Sequence, residues 1–160
     1  MQDTSDMDFL ENCLKEEDIY QFQTLSRENI YELGQILINL CNQSYKPVAA
    51  EIKVNNQLLF CYYPEGTSEY YRQVLVRKHN TANVFEKSSL RFYAENIVNN
   101  INPVSDMFLS PQQLQFRGGG FPIRLKGGCV IGSIAVAGMQ HTEDHSLIVQ
   151  ALKQFFSKNI

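Results

Sequence analysis

Arg117 to His145 reads RGGGFPIRLKGGCVIGSIAVAGMQHTEDH, and its glycines and alternations decide the fold. After the triple glycine Gly118–Gly120, Phe121, Ile123 and Leu125 share one face while Arg124 and Lys126 take the other, the period-2 signature of a strand. Gly127-Gly128 turns the chain as a hairpin. Val130 to Ala137 returns as a strand apolar on both faces. Because Gly132, Ser133, Ala135 and Ala137 are small, a bulky neighbour is expected close against it. A helix is expected from Thr142, capped by that residue. Glu143 and Asp144 would lie at the positive end of its dipole, with Ile148, Ala151, Leu152, Phe155 and Phe156 as the buried stripe.

Working outward, residues 1–18 are expected to form an N-terminal arm, an acidic helix over 4–18 with Phe9, Leu10, Cys13 and Leu14 on one side, ahead of a single domain over 19–160. Ser26 caps a second helix whose Ile30, Leu33, Gly34, Leu37, Ile38 and Cys41 recur at helical spacing. Val48, Ala50, Ile52 and Val54 alternate with Ala49, Glu51 and Lys53, a half-buried strand that Asn55-Asn56 turns back. Gln57 to Tyr63 is apolar on both faces and is expected inside the sheet. A helix from Ser68 carries Tyr71, Val74, Leu75, Ala82 and Phe85 inward and keeps Arg72, Arg77, Lys78 and His79 elsewhere. Another begins at Ser88 or Ser89, striped by Leu90, Tyr93, Ala94, Ile97, Val98 and Ile101, and stops at Asn102-Pro103. Leu114 and Phe116 lie on a short element that periodicity leaves undecided between helix and strand. Helices between strand pairs make this an α+β chain.

The 160 residues, 44% hydrophobic and 19% charged, fit one globular domain. A net charge of -3 lacks the basic footprint of a nucleic-acid binder. The acidic start is unlike a secretory signal, and no run of about 18 apolar residues is present to span a bilayer, so a cytoplasmic protein is expected. Cys13, Cys41, Cys61 and Cys129 form no C-x-x-C pair and sit in apolar patterns, which predicts buried free thiols and no metal site.

Candidate chemistry is sparse. Asp144 and His145 extend the last helix's apolar stripe inward, where polar groups need partners, and are expected at a pocket edge. Arg117 and Gly118–Gly120 could offer a cation and backbone N–H groups to an anion, although neither phosphate-loop nor dinucleotide spacing is present. Arg77, Lys78, Ser88 and Ser89 add charge and hydroxyls at the junction of the two central helices. Neither a G-x-S-x-G elbow nor a Cys beside a His supports nucleophilic catalysis.

The run GGGFPIRLKGGCVIGSIAVAGMQHTEDH, with the earlier RKHNTANVFEKSS, resembles the UPF0303 family, within the haem-degrading-like group that includes the HbpS and GlcG proteins. The resemblance implies a profilin-like α+β domain, with an antiparallel sheet of about five strands flanked by helices, and homo-oligomers. Carried over residue by residue, it marks Arg77, Lys78, Phe85, Ser88, Ser89, Gly118, Gly119, Gly120, Phe121, Pro122, Gly132, Gly138, Asp144 and His145. Ala137 stands where relatives often have serine. The group's name implies haem, for which only His79, His141 and His145 offer imidazole. The expectation is a homo-oligomeric binder of a small anionic ligand. Its ligand residues would be Arg77, Lys78, Ser88, Ser89, Gly118, Gly119, Gly120, Phe121, Asp144 and His145. The alternatives are an enzyme using the Gly118–Gly120 and His145 pocket, or an assembly protein without catalysis.

Overall fold

The computed structural model describes residues 4–159. Five helices and four strands follow in the order α1 (Thr4–Ile19), α2 (Arg27–Asn42), β1 (Ala49–Val54), β2 (Gln57–Tyr62), α3 (Glu69–Phe85), α4 (Ser89–Val98), β3 (Gly120–Arg124), β4 (Val130–Ala137) and α5 (His141–Lys158). The strands form one antiparallel sheet in the order β2-β1-β4-β3. The chain is therefore α+β, with four strands rather than about five. The place of a fifth is taken by a single bridge, in which Phe22 lies parallel to Leu125 and exchanges bonds with Arg124 and Lys126. The undecided segment around Leu114 is a run of turns tied to α3, where Thr81 Oγ1 donates to the Gln115 carbonyl and accepts its N–H.

The sheet has two unlike faces because β1 and β4 alternate large and small apolar residues. Ile52, Ile134 and Val136 join Leu33, Leu37, Ile148 and Leu152 in the main core, under α2 and α5. Ala49, Ala135 and Ala137 face α3 and meet Leu75. The bulky neighbour expected against β4 is thus α3, and the small side chains are what let it approach. Gly132 serves the other neighbour: a Cβ there would run into the Lys53 carbonyl of β1.

Three expectations change at this level. β1 is buried on both faces along its first four residues, so Glu51 is a core residue and not the outward acid of a half-buried strand. β2 is an edge strand; Leu58 and Cys61 are exposed, because apolar residues on both faces do not require a neighbour on both edges. On α3 the buried stripe is Leu75, Lys78, His79 and Ala82, spaced i, i+3, i+4 and i+7, so two polar residues occupy its centre.

α1 packs on α4 through Cys13 and Glu17, while Leu14 of its expected stripe is exposed. Glu17 is satisfied there by Arg91 and by the Ser88 hydroxyl. α4 buries Leu90, Phe92 and Ala94, and Phe92 stacks on Phe85 at 4.4 Å; Ile97 and Ile101 of its expected stripe are exposed. Cys13 and Cys41 are buried free thiols, but Cys61 and Cys129 are exposed.

Candidate functional site

The triple glycine runs under α3 and against the start of α5. Gly119 has φ +118, and a side chain there would strike Lys78 Nζ and the Val136 carbonyl, so only glycine fits. Its carbonyl accepts from Val136 N–H, the Gly118 N–H donates to His141 Nδ1 at 3.0 Å, and the Gly120 N–H donates to Ser89 Oγ at 2.9 Å. The amides of Gly118 and Gly120 are thus spent on protein partners.

Lys78 is buried under this loop. Its ammonium donates to Asp144 at 2.9 Å and to the Val136 carbonyl at 2.6 Å. Asp144 also accepts the Met139 N–H, which fixes the entry to α5. Burial pushes the Lys78 pKa down and the Asp144 pKa up, and each partner's charge pulls the other part of the way back. α5 begins at His141 with Gln140 as its N-cap and no side-chain cap, so Thr142 is inside the helix and does not cap it.

Above the pair opens a cleft of about 670 Å³. Lys78 and Asp144 form its floor. Tyr70, Tyr71, Val74 and Met139 line its walls, and Arg117, Gln140 and His141 stand at the helix start. A second hollow of about 560 Å³ between α2 and α5 holds Tyr45, Glu143 and Gln150 and has no cation in its lining. His141, named as an imidazole available to haem, was absent from the ten ligand residues because the helix was expected to begin after it. Gly118 N–H can only donate, so His141 Nδ1 accepts, and the neutral ring carries its proton on Nε2. Burial and the charges of Arg117 and Lys78 lower its pKa and keep it neutral near pH 7.

Of the ten expected ligand residues, Lys78 and Asp144 line the cleft, and Gly119 and Gly120 pack against Lys78 just beneath it. Ser89 supports Gly120, and Phe121 lies in the main core. Ser88 caps α4 at the α1 contact. Arg77 is half-buried and outside the cleft lining. His145 also lies elsewhere: its Nε2 bonds Glu16 at 2.6 Å, its Nδ1 is buried without a partner, and its ring packs on Phe121.

The third histidine completes a polar core on the α3 face. Ser133 Oγ donates to His79 Nδ1 at 2.7 Å, His79 Nε2 donates to Glu51 at 3.1 Å, and Tyr63 donates to the other Glu51 oxygen at 2.6 Å. The order hydroxyl, imidazole, carboxylate is that of a nucleophilic triad. Ser133 is fully buried under α3, however, so no substrate carbonyl reaches it and the chain serves packing.

The family model described as "Haem degrading protein HbpS-like" matches residues 25–153. The chain belongs to the HbpS-like family. A UPF0303 protein of Serratia proteamaculans is 30% identical over 154 residues, covering 96% of this chain and 95% of that one. A UPF0303 protein of Yersinia enterocolitica is 30% identical over 149 residues, covering 91% and 87%. Among solved structures, the Ybr137w protein superposes with a TM-score of 0.87 at 23% identity over 96% of this chain and 93% of its own. A PduOC complex with haem gives 0.68 at 15% identity over 81% and 94%. HbpS gives 0.62 at 18% identity over 84% and 91%. At these identities the superpositions establish a shared fold.

Proposed function

We propose that this HbpS-like chain binds a small anionic ligand in the cleft above Lys78 and Asp144, and that the ligand is a tetrapyrrole of the haem class, held by its carboxylates. The observation that carries this reading is the donor character of the cleft's helix-start end. Arg117 supplies a cation, His141 presents an N–H, and the uncapped first turn of α5 adds backbone N–H groups and the positive end of an 18-residue helix. Tyr70, Tyr71, Val74 and Met139 offer apolar and aromatic walls to a flat body. The ligand class comes from the family's description and from the haem bound to PduOC.

The residues fit haem's carboxylates and offer its iron no free imidazole. Axial ligation needs a lone pair facing the cleft, from an imidazole, thiolate, thioether or phenolate. His141 is the one histidine lining it, and its lone pair is taken by Gly118. Tyr70, Tyr71 and Met139 also line the cleft, so the axial ligand types it offers are phenolate and thioether, not imidazole. The buried Lys78–Asp144 pair forms the floor of the cleft.

The reading includes self-association, supported by the exposed apolar residue Ile97 in the last turn of α4 and Ile101, Val104, Met107 and Phe108 beyond it. It also includes a cytoplasmic setting, supported by four free cysteines. Among the described residues no helix is long and apolar enough to cross a membrane.

Titrating haem into the wild-type protein and into Arg117→Ala and His141→Gln tests the site. Each loss of a hydrogen bond to a charged group should weaken binding about tenfold or more. Equal affinity in all three proteins, or loss of binding in folded His145→Gln, would contradict it.

A further inference from the structure

At the contact between the first and last helices, Cys13 Sγ, a Glu16 carboxylate oxygen and a ring nitrogen of His145 lie within 4.8 Å of one another. Cys13 and Glu16 are one turn apart on α1, and His145 faces them from α5, so two rigid elements present the three donors. We propose that this cluster is a binding site for a divalent transition-metal ion of the zinc class, separate from the ligand cleft.

Three features carry the assignment. Thiolate, imidazole and carboxylate together suit zinc, which takes about four ligands and here would keep one position for water. A 2+ ion bound by one thiolate and one carboxylate leaves the buried site without net charge. His145 is almost fully buried, with Nδ1 lacking any partner and Nε2 held only by Glu16, so the ring is under-used as it stands. Ser88 bonds Cys13, and Glu17 with Arg91 packs behind it, so the thiol has an ordered surround. Without a metal, Cys13 is a buried free thiol that carries its proton. Binding would expel that proton to solvent and form the metal–sulfur bond in its place. Cys13 and His145 stand at opposite ends of the sequence, so no ligand spacing could reveal them.

The test is a titration of chelator-treated full-length protein with Co²⁺ alone, followed by Zn²⁺. The expected result is a thiolate-to-cobalt charge-transfer band that saturates at one equivalent per chain and is discharged by one equivalent of Zn²⁺. The band should be lost in Cys13→Ala and unchanged in Cys61→Ala and Cys129→Ala. Glu16→Gln, at a partly exposed position, should fold normally and bind at least tenfold more weakly. Absence of the band, its persistence in Cys13→Ala, its loss with either exposed thiol, or unaltered affinity in Glu16→Gln would each overturn the assignment. Because none of these residues lines the cleft, failure here leaves the cleft reading standing, and the reverse also holds.

Discussion

His79 is the residue whose surroundings say most about pH. Burial holds its pKa below the usual histidine value, and the hydrogen bonds its neutral ring makes with Ser133 and Glu51 complete the core under α3. Unfolding releases an imidazole of ordinary pKa near 6.5, so below that value the unfolded chain binds a proton that the native one does not. Hydrogen bonds from His79 and Tyr63 overcome the effect of burial and hold Glu51 below its ordinary value. Its contribution is likewise present above the unfolded pKa and lost as pH falls through the folded one. Stability should therefore fall from about pH 6.5 downward, by at most about 1.4 kcal/mol per pH unit for the His79 proton. Urea unfolding of the wild type and of His79→Gln between pH 7.5 and 5.5 checks this, the variant showing the shallower slope. Lys78→Met should cost about 3–5 kcal/mol, because it leaves the Asp144 charge buried alone. Adding Asp144→Asn should recover part, since the amide keeps an acceptor for Met139 without the charge. Lys78 was readable in one respect: position 78 falls on the apolar spacing of its helix, and only the residue type argued for the surface. Its partner Asp144 could be seen to point inward from the stripe of α5, whereas the identity of the pair depended on tertiary contact between α3 and α5.

At the level of elements, the glycines of the quoted stretch divide by role. Gly127 has φ +69 and open space around it, whereas Gly119 has φ +118 and is walled in by Lys78 and Val136. Gly127→Ala should cost about 1 kcal/mol, and Gly119→Val distinctly more, as a thermal melt of each would show. Equal costs would mean that the loop relaxes and the close approach is not required. The strands β3 and β4, their hairpin and the stripe of α5 were legible because local periodicity encodes them. The position of β2 at the edge was not, since strand order is set by which helices cover which face. The start of α5 slipped by one residue for a physical reason: Thr142 is a good cap type, but the chain enters the helix through Met139 N–H on Asp144, a reverse bond that sequence spacing does not favour. That slip left His141, named only as one of three imidazoles, out of the ten ligand residues, and it is now found at the cleft.

For the whole molecule, the proposed self-association would cover Ile97, Ile101, Val104, Met107 and Phe108, the last 90% exposed. Light scattering at micromolar concentration should give a multiple of 18.4 kDa, and a lone 18.4 kDa species would contradict self-association. The central claim concerns how the cleft recognises its ligand, and porphyrins that separate iron from carboxylates test it most directly. Equilibrium titrations would compare haem, metal-free protoporphyrin and haem with both carboxylates esterified. The account predicts similar affinity for the first two, at least tenfold weaker binding of the ester, and loss of that preference in Arg117→Ala. Strong binding of the ester together with failure of the metal-free ring would show recognition through iron and contradict the account.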